Sequence, residues 1–113
     1  MTETLFEKII KKEIPADIIY EDHISIVIKD INPQAPTHLL IIPKKVIPKL
    51  SDANQEDQAI LGHLMLVAGK ISRQLELDDT FRLVVNNGAK AGQSVFHLHL
   101  HLMSGRVLNW PPG

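Results

Sequence analysis

Near the end of the chain, Val95-Phe96-His97-Leu98-His99-Leu100-His101-Leu102-Met103 alternates histidines with apolar residues, and no other stretch constrains the fold as tightly. Strict alternation marks a β-strand with one buried face, because successive side chains point to opposite sides of the pleat. It predicts that Leu98, Leu100 and Leu102 face a core while His97, His99 and His101 share the other face. Half of the chain's six histidines stand in this row. A merely solvated face would more cheaply carry Thr, Lys or Glu, so three imidazoles side by side point to a site. The leucines are placed for packing and further chain follows, which sets the row apart from an affinity tag.

Geometry limits what the row can do. At a rise of about 3.3 Å per residue, the Cα atoms of His97 and His101 lie roughly 13 Å apart on a straight strand. Zinc holds nitrogen ligands at about 2 Å around one point, so all three meet one metal only if the strand bends sharply. Two of them could share a metal completed by His38, His63 or a carboxylate. The other reading gives each imidazole a separate task along a bound substrate, as nucleophile, anion donor or orienting partner.

With 113 residues the chain is long enough for one compact domain, residues 1–113, and too short for two. A net charge of −1 provides no basic stripe for a nucleic-acid backbone. No apolar run approaches a membrane span, and Met1-Thr2-Glu3-Thr4 lacks the basic and apolar regions of a leader. Without cysteine there is no disulfide or thiolate chemistry. The expectation is a soluble cytoplasmic protein with neither a nucleic-acid nor a membrane partner.

Taken in order, Thr4-Leu5-Phe6-Glu7 has the spacing of a capping box opening a short helix whose apolar side is Leu5, Phe6, Ile9 and Ile10. Its wet side is Lys8, Lys11 and Lys12, and Phe6 reads as core. Strands follow at Asp17–Tyr20 and Ile24–Asp30, then a loop held open by Pro33 and Pro36, then a strand buried on both faces from Thr37 to Lys44. Asp30, at a strand end, reads by itself as a turn former; His38 enters its strand directly from the rigid loop. From Ser51 or Asp52 to about Leu77 the period is helical, with Asp52 to Gln55 as cap and His63 off the apolar stripe, on the surface. Thr80–Asn86 is a strand, and Asn87-Gly88 signals a turn returning it into the histidine strand as an antiparallel hairpin. Between them Gly92, Gln93 and Ser94 offer backbone amides, an amide side chain and a hydroxyl suited to an anion. The lone Trp110 is expected to pack against this subunit or a second copy. These elements predict an α+β fold with a mainly antiparallel five-stranded sheet, one long helix and one short helix.

The run from Gly92 to Leu102 resembles the histidine triad (HIT) superfamily, whose signature is His-x-His-x-His with apolar residues between. It is most similar to the Hint branch, the purine nucleoside phosphoramidases. Asp30 to His38, Val84-Val85-Asn86-Asn87-Gly88 and Trp110-Pro111-Pro112-Gly113 match as well, so the resemblance spans essentially the whole chain. It implies hydrolysis of purine nucleoside 5′-phosphoramidates (AMP or GMP linked to an amine, with aminoacyl adenylates a further substrate), no cofactor or metal, and a homodimer. His99 matches the family nucleophile, which forms a nucleotidyl-histidine intermediate; His101 matches the donor to the phosphate oxygens, and His97 and His38 match supporting positions. Asp30 matches the ribose-binding acid and Ile31 lies beside the base. Asn86, Gly92, Gln93 and Ser94 match nucleotide contacts, Ser94 also lying near the departing amine. Phe6, Ile9 and Ile28 fall where the family lines its purine slot, and Trp110 lies on the leaving-group side. Many relatives carry an aromatic residue at Ile28, and relatives also differ at Asn109.

Alternatives from other classes are a purine-nucleotide binding or regulatory module with incidental hydrolysis, and a zinc site on the histidine row. Within the superfamily, the rivals are a dinucleoside polyphosphate hydrolase and a nucleotidyltransferase.

Overall fold

Strands with apolar residues on both faces need a cover on each side, and the chain supplies one helix for each. In the computed structural model, which describes residues 2–113, the elements run α1 (Leu5–Ile10), β1 (Ile18–Glu21), β2 (Ser25–Lys29), β3 (Thr37–Pro43), α2 (Gln58–Gln74), β4 (Arg82–Val84) and β5 (Leu100–Ser104). The strands form one sheet in the order β1-β2-β3-β5-β4, with every neighbouring pair antiparallel. This is the expected α+β fold with one long and one short helix.

On one face Val27, Leu39, Ile41, Leu100 and Leu102 pack under α2 through Leu64, Val67, Ala68 and Ile71. On the other, Ile26, Ile28, Leu40 and Ile42 meet Phe6 and Ile9 of α1. α1 carries the predicted capping box: the Thr4 hydroxyl accepts from the Glu7 amide while the Glu7 carboxylate accepts from the Thr4 amide. Six residues of helix are marginal in isolation, so α1 depends on what it packs against.

Three boundaries differ from the pattern. α2 starts at Gln58, because Asn54 and Asp57 cap each other in a preceding 3₁₀ turn and buried Asp57 is paired with Lys45 at 2.6 Å. α2 ends at Gln74, where Glu76 turns left-handed (φ 54°) and Leu77 N donates back to the Ser72 carbonyl, closing the helix and returning Leu77 to the core. A left-handed Glu leaves no glycine signal in the sequence. β5 starts only at Leu100, so His97 and His99 precede the ladder and the three histidines do not share a strand face. β4 does pair antiparallel with β5, Val84 opposite His101, but Asn87-Gly88 is no two-residue hairpin turn: residues 85–99 make the connection, through a 3₁₀ turn at Ala89–Ala91.

His63, expected on the surface, is half-buried and bonded to Asp22 at 2.7 Å. Asp22 also accepts from Ile24 N, Ser25 N and the Tyr20 hydroxyl, tying α2 to the β1–β2 turn. Burial alone would raise the Asp22 carboxyl; the hydrogen bonds from Ile24, His63, Ser25 and Tyr20 outweigh it and hold the group well below the usual carboxylate range. Asp22→Ala strands these donors and should cost about 2–3 kcal/mol in urea unfolding at pH 7. The Asp22 contribution is present above pH ~4 and lost on further acidification, so the difference between wild type and variant should shrink there.

Candidate active site

The pleat places two histidines from distant parts of the chain on one face. Leu40 of β3 lies opposite His101 of β5, so His38, two residues before Leu40, shares that face beside His101. Upstream of β5 the chain bends at residues 95–97 and is anchored by Leu98 N donating to the Ile47 carbonyl at 2.7 Å.

Main-chain partners assign the protons of these imidazoles, because a carbonyl can only accept and an amide can only donate. His99 Nδ1 lies 2.8 Å from the His97 carbonyl; it therefore carries its proton there, and the Nε2 lone pair is free. Gln34 N–H donates to His38 Nδ1 at 2.9 Å, which puts the His38 proton on Nε2. That nitrogen lies 2.9 Å from His101 Nδ1, which accepts, leaving His101 with an N–H at Nε2. The result is one imidazole nitrogen able to attack beside one able to donate, with ring centroids 5.1 Å apart.

His97 is fully buried. Its Nε2 donates to the Pro43 carbonyl at 2.7 Å and its Nδ1 accepts from the Thr4 hydroxyl at 2.8 Å. The Thr4 hydroxyl thus uses a lone pair to cap α1 and its proton to hold His97. That bond fixes α1 on the sheet, and Phe6 comes edge-on to His99 at 4.9 Å between centroids.

Burial lowers the pKa of His97, His99 and His101 below the ordinary histidine value. For His101, burial together with neighbouring His99 and His38 outweighs the opposing pull of Asp30 and takes the value to about 4. All three are neutral at pH 7, each with one N–H and one lone pair, and an attacking nitrogen requires that lone pair.

A cleft of about 270 Å³ opens over these groups. It gathers Phe6, Ile9, Ile28, Asp30, Ile31, Ser94, His99 and His101, eight of the residues singled out from sequence, and adds Leu5, Pro15, Leu40 and Val95 to its walls. Phe6 serves the core and the cleft together; Ile31 stands 99% exposed at the rim. Asp30 does form a turn, its Oδ1 accepting from Asn32 N at 2.8 Å, while its Oδ2 lies 3.4 Å from His38 Nε2.

Other expected site residues stand behind or beside the cleft. His38 and His97 back it through the bonds above. The Gln93 side chain is not available to an anion: it accepts from Gly88 N and donates to the Pro48 and Val95 carbonyls. The main-chain amides of Ala91, Gly92 and Gln93 are taken by carbonyls in the same turn. Gly92, left-handed at φ 103°, lies against the Asn86 side chain. Asn86 lines a different hollow, with Arg82, Val84 and Trp110. Trp110 is 82% exposed, so packing against its own subunit does not account for it. Thr4 as a partner of His97, and Gln34 as the group that orients His38, were invisible in sequence. Thr4 and His97 are 93 positions apart, and a main-chain amide leaves no residue signature.

Known proteins share this fold and much of this sequence. The HIT domain profile matches residues 11–108. A HIT-like protein of Synechocystis sp. is 58% identical over 111 residues, covering 98% of this chain and 97% of that one. A 14 kDa zinc-binding protein of Zea mays is 50% identical, covering 97% and 88%. Among solved structures, a HIT family hydrolase from Legionella pneumophila superposes with a TM-score of 0.95 at 46% identity, covering 98% and 100%. A histidine triad nucleotide-binding protein from Candida albicans gives 0.82 at 33%, covering 96% and 83%.

The maize name makes a metal worth testing against the donors present here. Among the described residues, Asp30, His38 and His101 bring ligand atoms within 4.8 Å of one another. Zinc on His38 Nε2 would move that ring's proton to Nδ1, where it would face the Gln34 N–H at 2.9 Å. His97 has both nitrogens engaged and His99 Nδ1 is held by a carbonyl. The Gln34 amide therefore opposes a metal on this cluster, and His97 offers none a ligand on the row.

The lowered histidine values predict an acid-sensitive fold. Unfolded histidines bind protons near pH 6.5, whereas folded His101 resists until about pH 4, so stability is complete above pH ~6.5 and falls as pH drops toward 4. By thermal unfolding, His101 should account for about 3 kcal/mol of that loss, and His101→Asn should flatten the profile.

Proposed function

Because the chain belongs to the HIT domain family, we propose that it hydrolyses purine nucleoside 5′-phosphoramidates through a nucleotidyl-histidine intermediate. The observation that carries the reading is the fixed tautomer of His99, whose free Nε2 borders the cleft while Nδ1–H is held by the His97 carbonyl. Attack of Nε2 on the α-phosphorus forms an N–P bond and breaks the bond to the departing amine, whose nitrogen takes a proton from solvent, a proton that the hydrolysing water gives back in the second step. The ring becomes cationic as it bonds phosphorus, and the His97 carbonyl stabilises the Nδ1–H that carries this charge. His101 Nε2–H donates to the phosphate oxygens, aided by Ser94. Water then attacks the same phosphorus, releasing the nucleoside monophosphate and restoring His99.

The rest of the cleft suits the remainder of such a substrate. Phe6, Ile9 and Ile28 offer an apolar slot for either purine, with Ile31 at its mouth. Asp30 Oδ2, at the adjoining strand end, suits ribose hydroxyls. His99→Ala should lower phosphoramidate turnover at least 10³-fold while the variant stays folded and still binds AMP. The assay is amine release from an adenosine 5′-phosphoramidate, with and without chelator. Undiminished turnover by the variant, or its loss with chelator in the wild type, would defeat the mechanism; AMP binding without turnover in the wild type would favour the binding module.

A homodimer, part of the same reading, is supported by an unpaired edge and an apolar hollow. β4 lies at the sheet edge; beside it a hollow of about 700 Å³ is lined by Leu50, Leu61, Met65 and Val85. Met65 and Leu66 on α2 are 55% and 75% exposed, an apolar patch that a second copy would bury. Light scattering should give twice the chain mass for the wild type, and Met65→Glu should shift it toward the monomer.

A further inference from the structure

Arg106 stands just beyond β5, exposed and outside both apolar clusters. Its guanidinium nevertheless grips a loop of the candidate site: Nε and Nη2 donate to the Gln34 carbonyl at 3.3 and 3.0 Å, and Nη1 donates to the Val107 carbonyl at 2.9 Å. The same residue, Gln34, supplies the amide that donates to His38 Nδ1. The neighbouring Gly105 presses on the same loop. At φ 99° it is left-handed, and a Cβ built there would stand 2.8 Å from Pro36 Cβ.

We propose that Arg106 is a positioning residue for His101, acting through Gln34 and His38. Its two bonds hold the Gln34 amide on His38 Nδ1. That keeps the His38 proton on Nε2 and His101 Nδ1 as its acceptor, so His101 presents N–H at Nε2. Asp30 Oδ2, 3.4 Å from His38 Nε2, also favours a proton there; without the Gln34 donor that preference stands alone, and His38 populates in part the form with its proton on Nδ1 and a lone pair on Nε2. His101 then places its proton on Nδ1 to meet it, and Nε2 turns a lone pair where a donor is required. Both rings keep the same number of protons, and the polarity of the chain reverses. The catalytic consequence rests on the proposed hydrolase; the proton assignment does not.

The test is long-range ¹H–¹⁵N correlation of the histidine side chains in the full chain, wild type, Arg106→Ala and Arg106→Lys, with amine-release kinetics on the same samples. In the wild type the Nδ1 nuclei of His38 and His101 should resonate as unprotonated nitrogens. In Arg106→Ala both should move toward mixed tautomers, while His97 and His99, held by other carbonyls, stay unchanged. Turnover number should fall about fivefold with KM little altered, the factor that one ordinary hydrogen bond carries. Arg106→Lys, retaining a donor, should recover most of both. A folded Arg106→Ala with wild-type tautomers at His38 and His101 would overturn the proposal, as would equal shifts at all the histidines, which would mark a general loss of structure. Absence of turnover in the wild type would count against the hydrolase reading alone, since the tautomers are read without substrate.

Discussion

The one-way hydrogen bonding of two main-chain groups governs the chemistry open to this cleft. The His97 carbonyl can only accept and the Gln34 amide can only donate. Between them they settle where the protons of His99, His38 and His101 sit. Imidazole by itself exchanges its proton freely between two nitrogens, so a row of histidines has no fixed polarity. Rigid backbone supplies it, leaving a lone pair on His99 and an N–H on His101. Burial adds to this by keeping all three triad imidazoles neutral at pH 7.

The same economy appears in the way the fold holds the cleft. His97, which does not line the cleft, joins the cap of α1 to the end of β3 through its two ring nitrogens. Thr4 serves the helix and the histidine with one hydroxyl. Because α1 is only six residues long, this bond and the burial of Phe6 and Ile9 keep it on the sheet. The apolar wall of the cleft meets its histidine where Phe6 comes edge-on to His99.

Much of this was legible in the order of residues. The capping box at Thr4, the doubly buried β3, the cover helix and the inward leucines of the histidine run could each be read because local pattern and tertiary environment ask for the same thing. Eight of the residues named from sequence do meet in one cleft. What failed was continuity. The alternation from Val95 predicts a single strand, yet the sheet takes only its second half, since Leu98 N is spent on Ile47 rather than on a ladder partner. The sequence offers Gln93 as a free amide, yet its side chain is used in tying together the turn before the triad.

The sequence alone determined which residues are apolar and at what period, and through that the two helices, the antiparallel sheet and the presence of a histidine-lined site. Periodicity encodes burial, and burial dominates the choice of fold. Only the tertiary structure decided what each histidine can do, because proton placement depends on carbonyls and amides that every residue possesses and that approach from distant parts of the chain. His97 and His99 are two positions apart in the same motif; one is a buried tie and the other borders the cleft with a free nitrogen.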